Sequence, residues 1–207
     1  HSLDRLVVAH ADSDHAGGLP ELLEVMPVAH ILAGDGLDRL PGVASCLPSG
    51  SWQWDGVRFD VLYPEPGDIA SGNNGSCVLL VSAGGRRALL TGDIEGEAEA
   101  LLVRRRMLPE VDWAIVPHHG SRTSSTPPFV QATKPGTAIV SAGYRNRWGM
   151  PTAEVAARWR GAGASVWNTA ESGALSGSLC GGLDPAPTGY RDSHGRLWHR
   201  FAGRGWP

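Results

Sequence analysis

His10-Ala11-Asp12-Ser13-Asp14-His15 puts four metal-capable side chains into six positions, and its flanks decide the fold. The apolar run Leu6-Val7-Val8-Ala9 precedes it and reads as a buried strand. Gly17-Gly18 follows, and Leu19, Leu22, Leu23 and Met26 then recur at helical spacing, predicting a helix over 15–26. Close carboxylates repel one another unless a cation lies between them. A strand-end loop loaded with imidazoles and carboxylates is therefore expected to bind metal.

Two further loops repeat the design of strand, potential ligand and glycine. One is Leu89-Leu90-Thr91-Gly92-Asp93, the other Val116-Pro117-His118-His119-Gly120-Ser121. Alone, Asp93 would read as a helix N-cap, and the paired histidines would suit a surface as well as a ligand set. Strand ends of one sheet line up along an edge, so three such loops can converge there.

Outward from these loops, Val28–Ala33 reads as a strand and 34–50 as loop. Trp52–Trp54 and Val57–Tyr63 flank Asp55-Gly56, and 77–82 and 86–91 flank Gly84-Gly85, two hairpin signals. Trp52 and Trp54 share a strand face and are expected in the core. A helix is predicted over 94–107, a strand over 111–117, a helix at Pro127–Thr133 and a strand over 137–141. A helix over 151–161 and strands over 165–169, 174–180 and 196–201 complete the pattern. Hairpins followed by strand–helix alternation predict a layered α/β sandwich.

The 207 residues suffice for one well-buried domain. No apolar run reaches the roughly 18 residues of a membrane span. The start, His1-Ser2-Leu3-Asp4, has no signal-peptide pattern and no initiator Met, so a piece of a longer protein is expected. A formal charge of −3 does not advertise nucleic-acid binding, although two divalent cations would reverse its sign. Lys134 is the only lysine, and Arg suits bidentate phosphate contacts; a GC-rich genome explains the same bias. Cys46, Cys77 and Cys180 form no C-x-x-C pair, which argues against a zinc ribbon.

Together the H-x-D-x-D-H-x-G-G cluster, the T-G-D strand end and the H-H-G-S loop resemble the metallo-β-lactamase superfamily. More narrowly, the chain resembles the C-terminal domain of the ComEC family of DNA-internalisation (competence) proteins. That likeness rests on Ser76-Cys77-Val78-Leu79, Thr91-Gly92-Asp93-Ile94-Glu95 and 117–125, and continues through 141–147 and Glu171-Ser172-Gly173-Ala174. The resemblance implies an αββα four-layer sandwich, here lacking its first strands because the family's D-V-G-Q-G segment is absent. Residues 1–175 would form that domain, with 176–207 its C-terminal strands and tail.

By motif match the resemblance implies His10, Asp12, Asp14, His15, Asp93 and His118 as ligands of two divalent ions, manganese or zinc. Asp93 would bridge them. Asp14, Asp93 and His119 are the implied catalytic residues, His119 standing open between ligand, supporting group and general acid. Ser121, Thr123 and Ser124 would cradle phosphate, and Arg122, Arg145, Asn146 and Arg147 would bind DNA.

The implied activity is metal-dependent DNA phosphodiester cleavage. It would take place on the extracytoplasmic, periplasmic side of a bacterial inner-membrane protein, beside that protein's channel portion. A disulfide between Cys46 and Cys77 is compatible with that location. Two departures from the pattern leave a catalytically impaired DNA-binding or gating domain as the alternative. Met150 stands where the family has His, and the only candidate for an intervening ligand, His30, reads as structural. A lactonase or thioesterase of the same superfamily is the remaining alternative.

Overall fold

A computed structural model describes residues 1–37, 39–68, 70–180 and 186–195. Two sheets face one another. The larger has seven strands: β4 (Trp52–Trp54), β5 (Val57–Tyr63), β6 (Val78–Ala83), β7 (Arg86–Leu90), β8 (Trp113–Ile115), β9 (Thr137–Val140) and β10 (Ser165–Asn168). Their spatial order is β10-β9-β8-β7-β6-β5-β4. The half from β4 to β7 is antiparallel, and from β7 to β10 it is parallel. The smaller sheet is parallel, with β1 (Leu3–Val8), β2 (Val28–Ala33) and β3 (Val43–Ser45).

Both predicted hairpins form. Asp55-Gly56 and Gly84-Gly85 turn the chain, and the three glycines and Asp55 all have positive φ, as a two-residue turn between twisted strands requires. Period-two alternation then sorts β6 between two cores. Val78 and Leu80 join the helix-side core with Ile94, Leu102, Phe129 and Trp159. Leu79 faces the other way, against Leu32 of the smaller sheet. In β5 a register shift between Val61 and Tyr63 re-aims the strand. Val61 lies between the sheets and Tyr63 under the helices.

Helices α3 (Gly96–Arg104), α4 (Pro127–Thr133) and α5 (Ala153–Gly161) supply the helix side of the larger core. Between β1 and β2 the chain forms α1 (Ser13–Ala16) and α2 (Leu19–Val25). Neither buries a residue fully, so this fourth layer is thin.

The structure corrects four sequence expectations. The helix over 15–26 breaks in two, because Gly17-Gly18 intervenes and Pro20 has no N–H to continue the ladder. The loop over 34–50 holds β3, too short for a periodic signal. The strand over 174–180 shrinks to β11 (Leu175–Ser176), paired with β12 (Thr188–Gly189). Beyond it, a Cβ at Gly177 would stand 2.1 Å from the Trp113 ring. Trp54 is exposed, though Trp52 stacks on Phe59 with ring centres 4.6 Å apart. The strand expected over 196–201 lies outside the described residues. Cys46 and Cys77 form a disulfide that ties the end of β3 to the start of β6.

Beneath α4, the buried Glu99 carboxylate accepts the N–H groups of Ser125 and Thr126, the latter at 2.7 Å. Arg158 donates to the Ser125 carbonyl, and Trp159 Nε1 donates to Ser125 Oγ at 3.1 Å. Burial pushes the Glu99 carboxyl above its ordinary pKa against these hydrogen bonds. Glu99→Ala is expected to cost about 2 kcal/mol, because two amides lose their acceptor. Chemical denaturation checks this, and an unchanged midpoint would refute it.

Candidate metal centre

The strand polarities bring the loops to one edge. The ends of parallel β7, β8 and β9 lie side by side there, with the start of antiparallel β6. Cys77 N–H donates to Ala9 O at 2.9 Å and joins the end of β1 to that edge. Gly92 makes the close approach possible. Its φ is +55°, and a Cβ on it would meet the Ser76 Cβ at 2.8 Å.

Donor atoms of Asp14, His15, Asp93 and His119 all lie within 4.8 Å of one another. Nε2 of His15 is 3.1 Å from Asp93 Oδ1. Nε2 of His119 is 3.1 Å from Asp14 Oδ2 and 3.5 Å from Asp93 Oδ2. His118 and His119 sit at positive φ, +46° and +53°, and Gly120 follows at +82°. Three successive left-handed residues turn the chain sharply there, a conformation that non-glycine residues adopt only at an energetic cost.

Imidazole orientation decides what the group can hold. The Ser141 carbonyl, 2.6 Å from His119 Nδ1, is an acceptor only, so Nδ1 carries the proton. In the neutral ring Nε2 is then bare, and it faces two carboxylate oxygens. Three acceptors pointed together need a proton or a cation between them. The buried Nε2 atoms of His10 and His15 have no hydrogen-bond partner; at His15 the distance to Asp93 is short, but the angle misses. Such nitrogens aimed into an acidic cluster fit a metal. Two imidazoles and two carboxylates suit zinc, and carboxylates also suit manganese.

His10 and Asp12 stand beside the group. The His10 ring is 4.4 Å from that of His15, and its Nε2 lies 3.4 Å from Asp12 Oδ2. Ser76 Oγ sits 3.2 Å from His10 Nδ1 and accepts the Asp93 N–H at 3.0 Å, so one hydroxyl positions two candidate ligands. His118 lies outside the four-residue group. Its Nδ1 is 3.0 Å from Glu95 Oε1, which favours a proton there, and its Nε2 is 3.9 Å from Asp93 Oδ2.

The loop hydroxyls face inward. Thr123 donates to Glu95 Oε1 at 2.6 Å and lies 2.9 Å from Ser121 Oγ; Ser124 donates to Pro117 O at 2.8 Å. These contacts orient His118 and its loop. Arg122, Arg145 and Arg147 are exposed. Asn146 uses both ends of its amide on Met150, accepting from N and donating to O. His30 is exposed on β2 opposite Arg5, outside the cluster.

Sequence reasoning missed Glu95 as a partner of His118 and Ser76 as a partner of His10 and Asp93. Asn74 Oδ1 accepts the Glu95 N–H at 2.8 Å at the start of α3. Ser76 and Asn74 belong to polar stretches whose partners are distant in sequence.

Charge coupling gives the centre a pH dependence. The Asp93 carboxylate, 3.1 Å from its Nε2, raises the His15 pKa against burial. Burial pushes Asp93 up, but His15, His119 and His118 outweigh it and hold the carboxyl below its usual range. Burial, then His15, lowers His10. In the metal-free chain, the His15 contribution to stability is complete below ~6.5 and lost as pH rises through its raised value. That of Asp93 is complete above ~3.9 and lost as pH falls through its depressed value.

A metal held by His15 would displace its proton, so affinity would move the opposite way from the His15 contribution. Zinc or manganese is expected to bind more than about tenfold tighter at pH 7.5 than at 5.5, with proton release. Calorimetry in two buffers of different ionisation enthalpy reads both, and a pH-independent affinity would contradict the assignment.

A family model described as "Metallo-beta-lactamase superfamily" matches residues 2–144. Competence protein ComA of Neisseria gonorrhoeae is 39% identical over 180 residues, covering 86% of this chain and 25% of that protein. Recombination protein 2 of Haemophilus influenzae is 34% identical over 172 residues, covering 83% and 22%. ComE operon protein 3 of Bacillus subtilis is 35% identical over 167 residues, covering 74% and 22%. The chain thus spans a quarter or less of these relatives' length. A solved structure of a proposed metal-dependent hydrolase from Parabacteroides distasonis matches with a TM-score of 0.55 at 14% identity, covering 81% of this chain and 76% of its own. At that identity the likeness concerns the fold alone.

Proposed function

The chain belongs to the metallo-beta-lactamase superfamily, and from that premise we propose that it is a metal-dependent DNA phosphodiesterase domain of a DNA-uptake protein. The observation that carries this reading is His119 Nε2 facing the carboxylates of Asp14 and Asp93 at 3.1 and 3.5 Å. The likeness to a competence protein and to a recombination protein favours DNA as the substrate in this reading.

Two divalent ions, zinc or manganese, would supply Lewis-acid polarisation of a phosphoryl oxygen and activation of water. Asp93, with His15 near one oxygen and His119 and His118 near the other, is the residue to share between two positions. His10 and Asp12 extend the set on the His15 side, and Glu95 and Ser141 hold the rings of His118 and His119. Asp14, 58% exposed, opens the cluster to solvent, and with His119 can hold a proton beside the substrate. Arg122, with no acidic partner beside it in the loop sequence, suits a phosphate backbone.

In this reading the domain works outside the cytoplasm beside the channel portion of its parent. The Cys46–Cys77 disulfide supports that location. No described helix is long and apolar enough to cross a membrane.

Metal-replete protein is expected to hydrolyse single-stranded DNA and bis-p-nitrophenyl phosphate, and Asp14→Ala to lose both activities. No hydrolysis by the metal-replete chain would sink the nuclease reading. Met150, held by Asn146 where the family pattern has His, favours a second reading, a metal-holding domain without turnover. Full metal content without hydrolysis would select it.

A further inference from the structure

The loop from Ser141 to Met150 carries Tyr144, Arg145, Arg147 and Trp148 in five positions and no acidic residue. Tyr144 is 54% exposed and Trp148 64%, so most of a large apolar indole faces water. Each ring has a guanidinium beside it. Arg147 Cζ lies 4.4 Å from the Trp148 ring centre and Arg145 Cζ 5.4 Å from that of Tyr144.

The loop is held open in this form. Asn146 bonds Gly143 O and both backbone groups of Met150, and Gly149 N–H donates to Asn146 O at 3.2 Å. An exposed aromatic pair on a stapled loop loses little entropy on binding a ligand.

The loop also adjoins the metal centre. The Ser141 carbonyl, at its root, accepts the Nδ1–H of His119 at 2.6 Å. At the other end, Thr152 N–H donates to Gly120 O at 3.0 Å. Both ends of the aromatic loop are therefore bonded to the His118–Gly120 turn.

We propose that Tyr144 and Trp148 form a stacking platform for unpaired nucleobases of single-stranded DNA, with Arg145 and Arg147 beside the rings to take the backbone phosphates. Positive charge without local acids complements a polyanion, and flat exposed rings complement bases whose faces are free. A duplex hides those faces, so the platform selects single strands or frayed ends. This inference rests on the DNA-processing reading, but concerns binding and not turnover.

Fluorescence anisotropy on the whole chain with calcium in place of the active metal tests it. The probes are a labelled oligothymidylate, an abasic strand of equal length and a duplex. The wild type is expected to bind oligothymidylate at least tenfold tighter than the abasic strand. Tyr144→Ala/Trp148→Ala is expected to remove that difference while keeping its metal content and melting temperature. Equal affinity of the wild type for abasic and base-bearing strands, or a double variant that still discriminates, would overturn the proposal. Base-dependent binding without hydrolysis would sustain the platform while sinking the nuclease, so the two readings fail separately.

Discussion

Asp93→Ala is expected to lower bound metal to less than one ion per chain and hydrolysis by at least about a thousandfold, beyond the 10–100-fold typical of groups that only support a ligand. Its carboxylate faces His15, His119 and His118 together, so one substitution touches three imidazoles at once. Asp93→Asn keeps the shape and removes the charge, and should lose metal almost as completely. The imidazoles give a readout independent of metal. Without the carboxylate, His15 loses the neighbouring negative charge that raises its pKa, so its titration should move to lower pH in nuclear magnetic resonance spectra. Two ions retained per chain and an unmoved His15 titration would show that the cluster is not organised around Asp93.

The second large effect concerns the join between the sheets. Replacing Cys46 and Cys77 together with alanine is expected to cost about 3–4 kcal/mol, from the loop-closure entropy of a bridge between residues 31 apart. For a domain of this size that corresponds to a melting temperature lower by roughly 6–15 °C. Both cysteines are buried among Leu32, Val61 and Leu79, and alanine keeps those positions apolar. The loss is thus assigned to the covalent link and not to a buried polar group. Differential scanning calorimetry of the double variant, with reduced wild type beside it, measures the loss. A change below 1 °C would mean that inter-sheet packing alone holds the two sheets together.

Both effects depend on how local signals met in space. Periodicity and turn chemistry identified nearly every strand of the larger sheet, because hairpin turns and alternating apolar residues act within a few positions. Short pieces escaped it: β3 is held by its pairing with β2, and the break between α1 and α2 reflects Gly-Gly and Pro20 overriding an apolar period. Trp54 is exposed at the turn end of β4, the edge strand of its sheet, whereas Trp52 on the same strand stacks on Phe59.

By itself the sequence determined the type of chemistry: imidazoles and carboxylates packed into short loops after apolar strands. That pattern is local, since a strand end presents neighbouring side chains whatever lies opposite. Only the tertiary structure decided how those side chains are used. It joined His119 to Asp14, His15 and Asp93, gave His118 to Glu95, and spent Ser121 and Thr123 on inward hydrogen bonds. The physical reason is that a ligand set is a matter of lone-pair directions. The Ser141 carbonyl sets them for His119 and the Glu95 carboxylate for His118, and both come from other strand ends that reach the histidines only when the sheet edge closes.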